Sequence, residues 1–415
     1  MLTALIAAGM CACTEKSGNN SSKAESGEEP LSAVVNVITT DPNLPVAPNG
    51  KKPSIKRKYK EGEAPEWNLD NTYYKLTKEK KLNVAYIGGS VTVGTGADYN
   101  TESWRALTLK WFRETYPDAE INEINGSCGG TSSCWGIARY KQDVLDKKPD
   151  LIFIEFSVND VYSGLTESTS AAFMDAMIRE TNRELPNCDI VYIRVPDNGT
   201  FEHLSDNAAA HKKAAKYNGV TWLDMAEALR EAIAKNGTEW NDYITDAVHP
   251  NAKGYKVYAD YIAARLKERF AQSKKRGPAG LTAHTVPTET YTDNTPIHTI
   301  TLWADDLKYN SDWKKAGMMK KSYFAGSRET IRACKEGAAM TFQFEGSTFA
   351  IYGDFKKNSN VKFTLDGQNE KTIGTINDQS GERLIYDNLT PGVLHTVTVT
   401  AEGTGLCSIV AVFIG

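Results

Sequence analysis

The sequence predicts two folded domains in series: an α/β domain built on a parallel sheet, then an all-β sandwich. Three observations predict this. From about Lys81 to Phe270, short β-rich runs alternate with helical patterns. One run, Leu151–Phe156 (LIFIEF), is nearly continuous in apolar residues, as a strand covered on both faces must be. Past residue 283 the helical periodicity stops, and short alternating runs separated by turns replace it.

Residues 1–12 (MLTALIAAGMCA) are small and apolar, and too short to span a bilayer. They read as the end of an export signal whose charged start is missing. The run closes on Met10-Cys11-Ala12-Cys13 and then turns polar, which resembles a bacterial lipoprotein signal with small Ala12 before an acylated Cys13. Bulky Met10 makes Cys11 the poorer acceptor. Residues 1–13 are therefore expected to be a lipoprotein-type signal segment, with the mature protein exported and held at the membrane or cell surface. An ordinary cleaved signal, giving a secreted protein, is the alternative. Residues 14–65 are rich in Ser, Asn, Glu, Gly, Lys and Pro and carry almost no periodic apolar pattern, so a disordered tether is expected.

The α/β domain is expected over residues 66–273. Its strands are predicted at Leu82–Ile87, Glu120–Ile124, Leu151–Phe156, Ile190–Val195 and Val220–Leu223. Helical patterns are read at Trp104–Tyr116, Gly136–Asp146, Thr169–Leu185, Ser205–Tyr217, Met225–Lys235 and Ala252–Phe270. Residues 274–282 (KKRGPAGLT) form a linker. The sandwich is expected over 283–415, with strands at Thr299–Trp303, Met340–Phe344, Phe349–Tyr352, Val361–Leu365, Leu384–Tyr386, His395–Thr400 and Ile409–Ile414.

Composition fits this plan. The 415 residues suit two domains, and 40% apolar residues supply sizeable cores. A formal net charge of −4 with 24% charged residues gives no electrostatic reason to expect nucleic acid as a partner. The lysines between Lys51 and Lys60 read as a solvated spacer. Seven cysteines include no Cys-x-x-Cys pair, which argues against zinc. Cys128 with Cys134, and Cys334 with Cys407, either pair in an oxidising compartment or remain buried thiols.

Four chemistry-bearing pieces lie at the carboxyl ends of predicted strands, where ligands of parallel sheets bind. Gly88-Gly89-Ser90 follows the first strand, and its glycines allow a sharp turn that exposes the Ser90 hydroxyl. Asn125-Gly126-Ser127-Cys128-Gly129-Gly130-Thr131-Ser132 follows the second and frees backbone N–H groups toward a pocket. Asn159-Asp160 follows the third, where a side-chain amide can donate to a developing oxyanion. Asp246-Ala247-Val248-His249 follows the fifth. A carboxylate three residues before a histidine can bond Nδ1–H and leave Nε2 to take a proton from a serine hydroxyl.

Together, in this order, the four pieces resemble the SGNH or GDSL-type hydrolases over about residues 80–270. The resemblance implies a three-layer, flavodoxin-like αβα domain with Ser90 as nucleophile and Asp246 and His249 completing the triad. It places the oxyanion hole at Ser90 N–H, Gly130 N–H and Asn159, with Gly129 as the alternative glycine. It implies a serine esterase working through an acyl-enzyme, with no metal or organic cofactor. Two departures bear on the subfamily: Gly89 stands where Gly-Asp-Ser is common, and Ser157 where a glycine often precedes Asn-Asp.

The layout is similar to bacterial carbohydrate esterases that pair such a domain with a jelly-roll-like sandwich and remove acetyl groups from xylan, mannan or related glycans. An acetylated glycan is therefore the expected substrate. Trp104, Trp135 and Asp160 are the candidate substrate contacts; Trp104 and Trp135 lie in helical patterns and read alternatively as core residues. A lipid or lysophospholipid esterase is the rival reading, and a non-catalytic acyl-glycan-binding protein a further one.

Overall fold

The computed structural model describes residues 35–38, 66–320, 327–355, 360–373, 380–403 and 407–415. The expected signal segment with Cys13, and all of the expected tether except Val35–Ile38, lie outside the described residues. That stretch is a correction: Val35–Ile38 (VNVI) forms strand β1, in register with a sandwich strand from Thr341 to Phe344. Its three β-branched residues suit a strand, and Asn36 ties it further by accepting from Lys308 N at 2.8 Å.

The α/β domain carries five parallel strands: β2 (Lys81–Gly88), β3 (Glu120–Asn125), β4 (Leu151–Glu155), β5 (Asp189–Arg194) and β6 (Thr221–Asp224). Their order is β3-β2-β4-β5-β6, with the chain reversing direction across the sheet between β2 and β4. This is the doubly wound order whose switch point opens a crevice at the strands' carboxyl ends. β4 and β5 are buried at every position, as a strand covered by helices on both faces requires.

The helices are α1 (Asp70–Tyr74), α2 (Ser90–Val93), α3 (Trp104–Thr115), α4 (Ser133–Asp143), α5 (Ser157–Tyr162), α6 (Glu167–Glu184), α7 (Asp206–Tyr217), α8 (Met225–Asn236) and α9 (Ala252–Arg276). Side chains that compete with helical hydrogen bonds inside a helix stand at the starts of the longer ones. Ser103, Ser132, Thr166, Ser205, Asp224 and Asn251 each accept a backbone N–H from the first turn. No helix among the described residues is long and apolar enough to cross a membrane.

α9 runs to Arg276 and stops at Gly277, whose φ of 64° closes the helix. The connection to the sandwich is longer than the expected 274–282. Residues up to 299 run along the α/β domain and are fastened to it: Thr282 N donates to Asn71 Oδ1, Arg179 donates to Pro287 O, and Tyr291 N donates to Asp175 Oδ2. His284 stacks on Trp67 with ring centroids 4.0 Å apart.

The sandwich strands are β7 (Ile300–Trp303), β8 (Trp313–Lys320), β9 (Ser327–Ala333), β10 (Ala339–Glu345), β11 (Phe349–Asp354), β12 (Asn360–Leu365), β13 (Asn369–Ile373), β14 (Ser380–Tyr386), β15 (Leu394–Glu402) and β16 (Ser408–Ile414). One sheet runs β1-β10-β15-β12-β13. The other runs β14-β11-β16-β9-β8, with β7 also paired to β16. Inward faces of β10, β12 and β15 supply Phe342, Phe344, Val361, Phe363, Val397 and Val399 to the sandwich core.

The two domains share a second core. Trp135, Ile137 and Phe173 of α4 and α6 pack in one cluster with Ala350, Tyr352, Val410 and Phe413 of the sandwich. Trp135 stacks on Tyr352 at 4.2 Å and meets Trp303 edge-on at 5.9 Å.

Candidate active site

The Gly88-Gly89-Ser90 turn leaves the end of β2. Gly89 ends the extended backbone, and Ser90 opens the short helix α2. Beneath it lies Glu155, the last residue of β4 and fully buried. Its Oε2 accepts from Gly89 N at 3.2 Å and Thr92 Oγ1 at 2.9 Å, fixing the turn from below. Burial pushes its carboxyl up to about 7 against the pull of those two donors.

The histidine loop arrives from the other side, between β6 and α9. Its ends are pinned by an isolated bridge between Ile244 and Pro250 and by Thr245 N donating to His249 O at 2.8 Å. Asp246 Oδ1 accepts from Val248 N and His249 N, both at 2.8 Å, which curls the loop back on its carboxylate. Asp246 Oδ2 lies 2.7 Å from His249 Nδ1, and His249 Nε2 lies 2.8 Å from Ser90 Oγ. An ionised carboxylate can only accept, so the ring proton sits on Nδ1 and Nε2 faces the serine hydroxyl with its lone pair. Partial burial of Asp246 opposes its charge, but the His249 and Val248 amides and the His249 ring outweigh it and hold the carboxyl below its ordinary range.

The glycine loop follows β3 and prolongs the hydrogen bonding of β2. Gly126 N donates to Tyr86 O and Cys128 N to Gly88 O, both at 2.8 Å, so the loop is delivered beside Ser90. Gly129 lies so near that a Cβ there would stand 3.7 Å from Ser90 Cβ. Gly130 has φ 69°, a left-handed conformation natural to glycine, and lines the same cleft as Ser90. Asn159, in the first turn of α5, lines it too. Its amide group is packed against the Gly88-Gly89-Ser90 turn: a Cβ on Gly89 would fall 2.2 Å from Asn159 Oδ1. The absent aspartate of Gly-Asp-Ser thus has a steric explanation, because Asn159 occupies the space a side chain at 89 would need.

Three sequence expectations are corrected here. Trp104 is fully buried, edge-on to Tyr86 and Phe153, and does not reach the cleft. Trp135 is 2% exposed and spent on the contact between domains. Asp160 is fully buried, accepts from Ser133 N and Ser133 Oγ at 2.7 Å each, and lies 2.9 Å from His211 Nε2. All three side chains are consumed by packing or by buried polar partners. The candidate disulfides do not form: Cys134, Cys188, Cys334 and Cys407 are free thiols.

The cleft, of roughly 790 Å³, has a second wall that sequence reasoning missed. Beside Ser90, Gly130, Asn159 and His249, it is lined by Tyr162 of α5 and by Lys371, Glu382, Arg383 and Asp387 of the sandwich. Tyr162 is 64% exposed, with its hydroxyl 3.1 Å from Asp197 Oδ2. Nothing in the sequence around these residues marks them, since they meet Ser90 only through tertiary packing.

Residues 86–257 match the model of the GDSL-like Lipase/Acylhydrolase family. Esterase TesA of Pseudomonas aeruginosa is 24% identical over 161 residues, 36% of this chain and 79% of that protein. An arylesterase of Vibrio mimicus is 27% identical over 165 residues, 40% of this chain and 78% of that protein. A crystal structure of a two-domain esterase (CEX) active on acetylated mannans, co-crystallized with mannopentaose, superposes with a TM-score of 0.66 at 20% identity. The match covers 86% of this chain and 98% of that one, so the fold similarity extends over both domains.

Proposed function

We propose that the α/β domain is a carboxylic ester hydrolase of the GDSL/SGNH type, as the family match and the two esterase relatives support, and that the protein removes O-acetyl groups from a polysaccharide or oligosaccharide through an acyl-enzyme on Ser90. The observation that carries this reading is the chain Asp246–His249–Ser90, with contacts of 2.7 and 2.8 Å, opening into a cleft walled by polar sandwich residues. His249 takes the Ser90 proton as Oγ attacks the acetyl carbonyl. Ser90 N–H, Gly130 N–H and the Asn159 amide receive the oxyanion. His249 then returns the proton to the sugar hydroxyl that leaves. Water, deprotonated by the same ring, releases acetate.

Two features favour a glycan over a lipid. Lys371, Arg383, Asp387 and Thr166 on the cleft walls are placed to hydrogen-bond the hydroxyl groups of a sugar. Tyr162 presents an exposed aromatic face at the cleft, a surface on which a sugar ring can stack. The two-domain structural neighbour, named as active on acetylated mannans, points the same way. We further propose an exported protein anchored through Cys13, checked by palmitate labelling of wild type and Cys13→Ala.

The test is acetate release from acetylated mannan and acetylated xylan, with p-nitrophenyl acetate and butyrate alongside, by wild type and Ser90→Ala. Acetate release by wild type alone is expected. Activity confined to small esters and stronger with butyrate would replace the glycan with a lipid. Equal activity of Ser90→Ala would remove the serine mechanism.

A further inference from the structure

The glycine loop that feeds the oxyanion hole is gripped by the sandwich. Gly130 is followed by Thr131, Ser132 and Ser133, and these lead into α4. The amides of Ser132 and Ser133 are consecutive, and each is taken by a carboxylate from a different part of the molecule. Ser133 N donates to Asp160 Oδ1 at 2.7 Å, next to Asn159. Ser132 N donates to Glu382 Oε1 at 2.9 Å, across 250 residues of sequence. Glu382 comes from β14 and is held in register: it pairs with Tyr352 of β11, the residue that stacks on Trp135 of α4. The grip on the loop is therefore built on the same rigid contact that joins the domains.

We infer that Glu382 is a positioning residue supplied by the sandwich, which fixes the Gly130 amide for the oxyanion by holding Ser132 N–H two residues downstream. This rests on the ester-hydrolase reading and deepens it: the second domain helps to set turnover, besides lining the cleft. Asp160 restrains the loop from the α/β side and Glu382 from the sandwich side. A shift of about 1 Å in an oxyanion donor is enough to cost on the order of 10² in rate.

What the position needs is an oxygen acceptor at the reach of a glutamate. Glu382→Gln keeps reach and acceptor and gives up the charge. Glu382→Asp keeps the charge and draws the acceptor back by one methylene. With p-nitrophenyl acetate, Glu382→Gln should stay within about threefold of wild type in kcat, while Glu382→Asp falls about 10²-fold with KM changed less than about twofold. A purely structural glutamate would show no such split between kcat and KM and no rescue by glutamine. Wild-type kcat in Glu382→Asp, or an equal loss in Glu382→Gln, overturns the inference. Should Glu382→Asp fail to fold, Glu382→Ala decides the matter, and wild-type kcat there overturns it too. If wild type hydrolyses no ester, or Ser90→Ala matches it, the ester-hydrolase reading fails instead, whatever Glu382 does.

Discussion

Each domain holds a histidine whose Nδ1 lies against an aspartate. In the α/β domain His249 Nδ1 is 2.7 Å from Asp246 Oδ2; in the sandwich His395 Nδ1 is 2.9 Å from Asp366 Oδ2. Both aspartates also accept backbone N–H groups, from His249 in one case and Thr396 in the other. The pairs differ at the second ring nitrogen. His249 Nε2 meets the Ser90 hydroxyl in an open cleft, whereas His395 Nε2 points at the carbonyl oxygen of Thr390, 3.3 Å away. With a carbonyl oxygen rather than a hydroxyl at its far nitrogen, the His395 ring has no proton to take there. It can only fasten the turn at Asp366-Gly367. An aspartate–histidine contact is thus no signature of catalysis; what faces the far nitrogen decides.

The sharpest way to break that contrast is to remove each ring. His249→Ala should lower kcat on p-nitrophenyl acetate by at least about 10³-fold, since the proposed base and nucleophile would act as a unit. His395→Ala should leave kcat within about twofold and cost on the order of 1 kcal/mol in urea unfolding, the price of a hydrogen-bonded turn. Similar turnover losses in the two variants would dissolve the distinction.

A second variant probes the nucleophile side. Gly89→Asp restores the commoner Gly-Asp-Ser but drives a side chain into the space of Asn159 Oδ1. If Asn159 donates to the oxyanion as proposed, displacing that amide should cost on the order of 10²–10³ in kcat. Unchanged turnover would mean that Asn159 has room to yield, and the steric account of Gly89 would fall.

A further test concerns a buried carboxyl away from the cleft, which accepts from Thr299 and faces Arg183. Burial pushes Glu180 from an ordinary 4.5 up to about 7, against the pull of Arg183 and Thr299. Its folded state resists ionisation, so its stabilising contribution is complete below about pH 4.5 and is lost as pH rises to about 7. Glu180→Gln should flatten that part of the stability profile by up to about 3 kcal/mol, read from urea midpoints at pH 5 and pH 8. An identical slope in both proteins would contradict the shift.

The residues that could be read in advance are those whose partners are local or whose pattern is periodic. LIFIEF announces a buried strand, and Asp246-x-x-His249 carries its own geometry, because three residues suffice for the carboxylate to reach the ring. Gly89-Ser90 and Asn159 could be placed because parallel strands all deliver their carboxyl ends to one edge. β8, β9 and β13 were not legible: WKKAGMMK, SRETIRA and NEKTI lack the alternation that the predicted sandwich strands show. Trp104 and Trp135 read equally as core residues or substrate contacts, because an aromatic residue at helical spacing looks the same whether its face meets solvent or a neighbouring sheet. Glu382 was invisible for the opposite reason. Its meaning depends on an amide 250 residues away, which nothing in SGERLIY foretells.

The seam of Trp135, Tyr352, Phe173 and Phe413 has a consequence for how this protein can be cut and recombined. Excising the sandwich would strip cover from Trp303, Tyr352 and Phe413 at once and leave a sticky apolar face on the fragment. Heated as a whole, the two halves should melt in one calorimetric peak, because neither keeps its buried surface without the other. A lineage that acquires a new sandwich by gene fusion must therefore also inherit the matching face of α4 and α6. Trading the accessory half between relatives is closer to replacing a subunit of an obligate dimer than to changing a bead on a string.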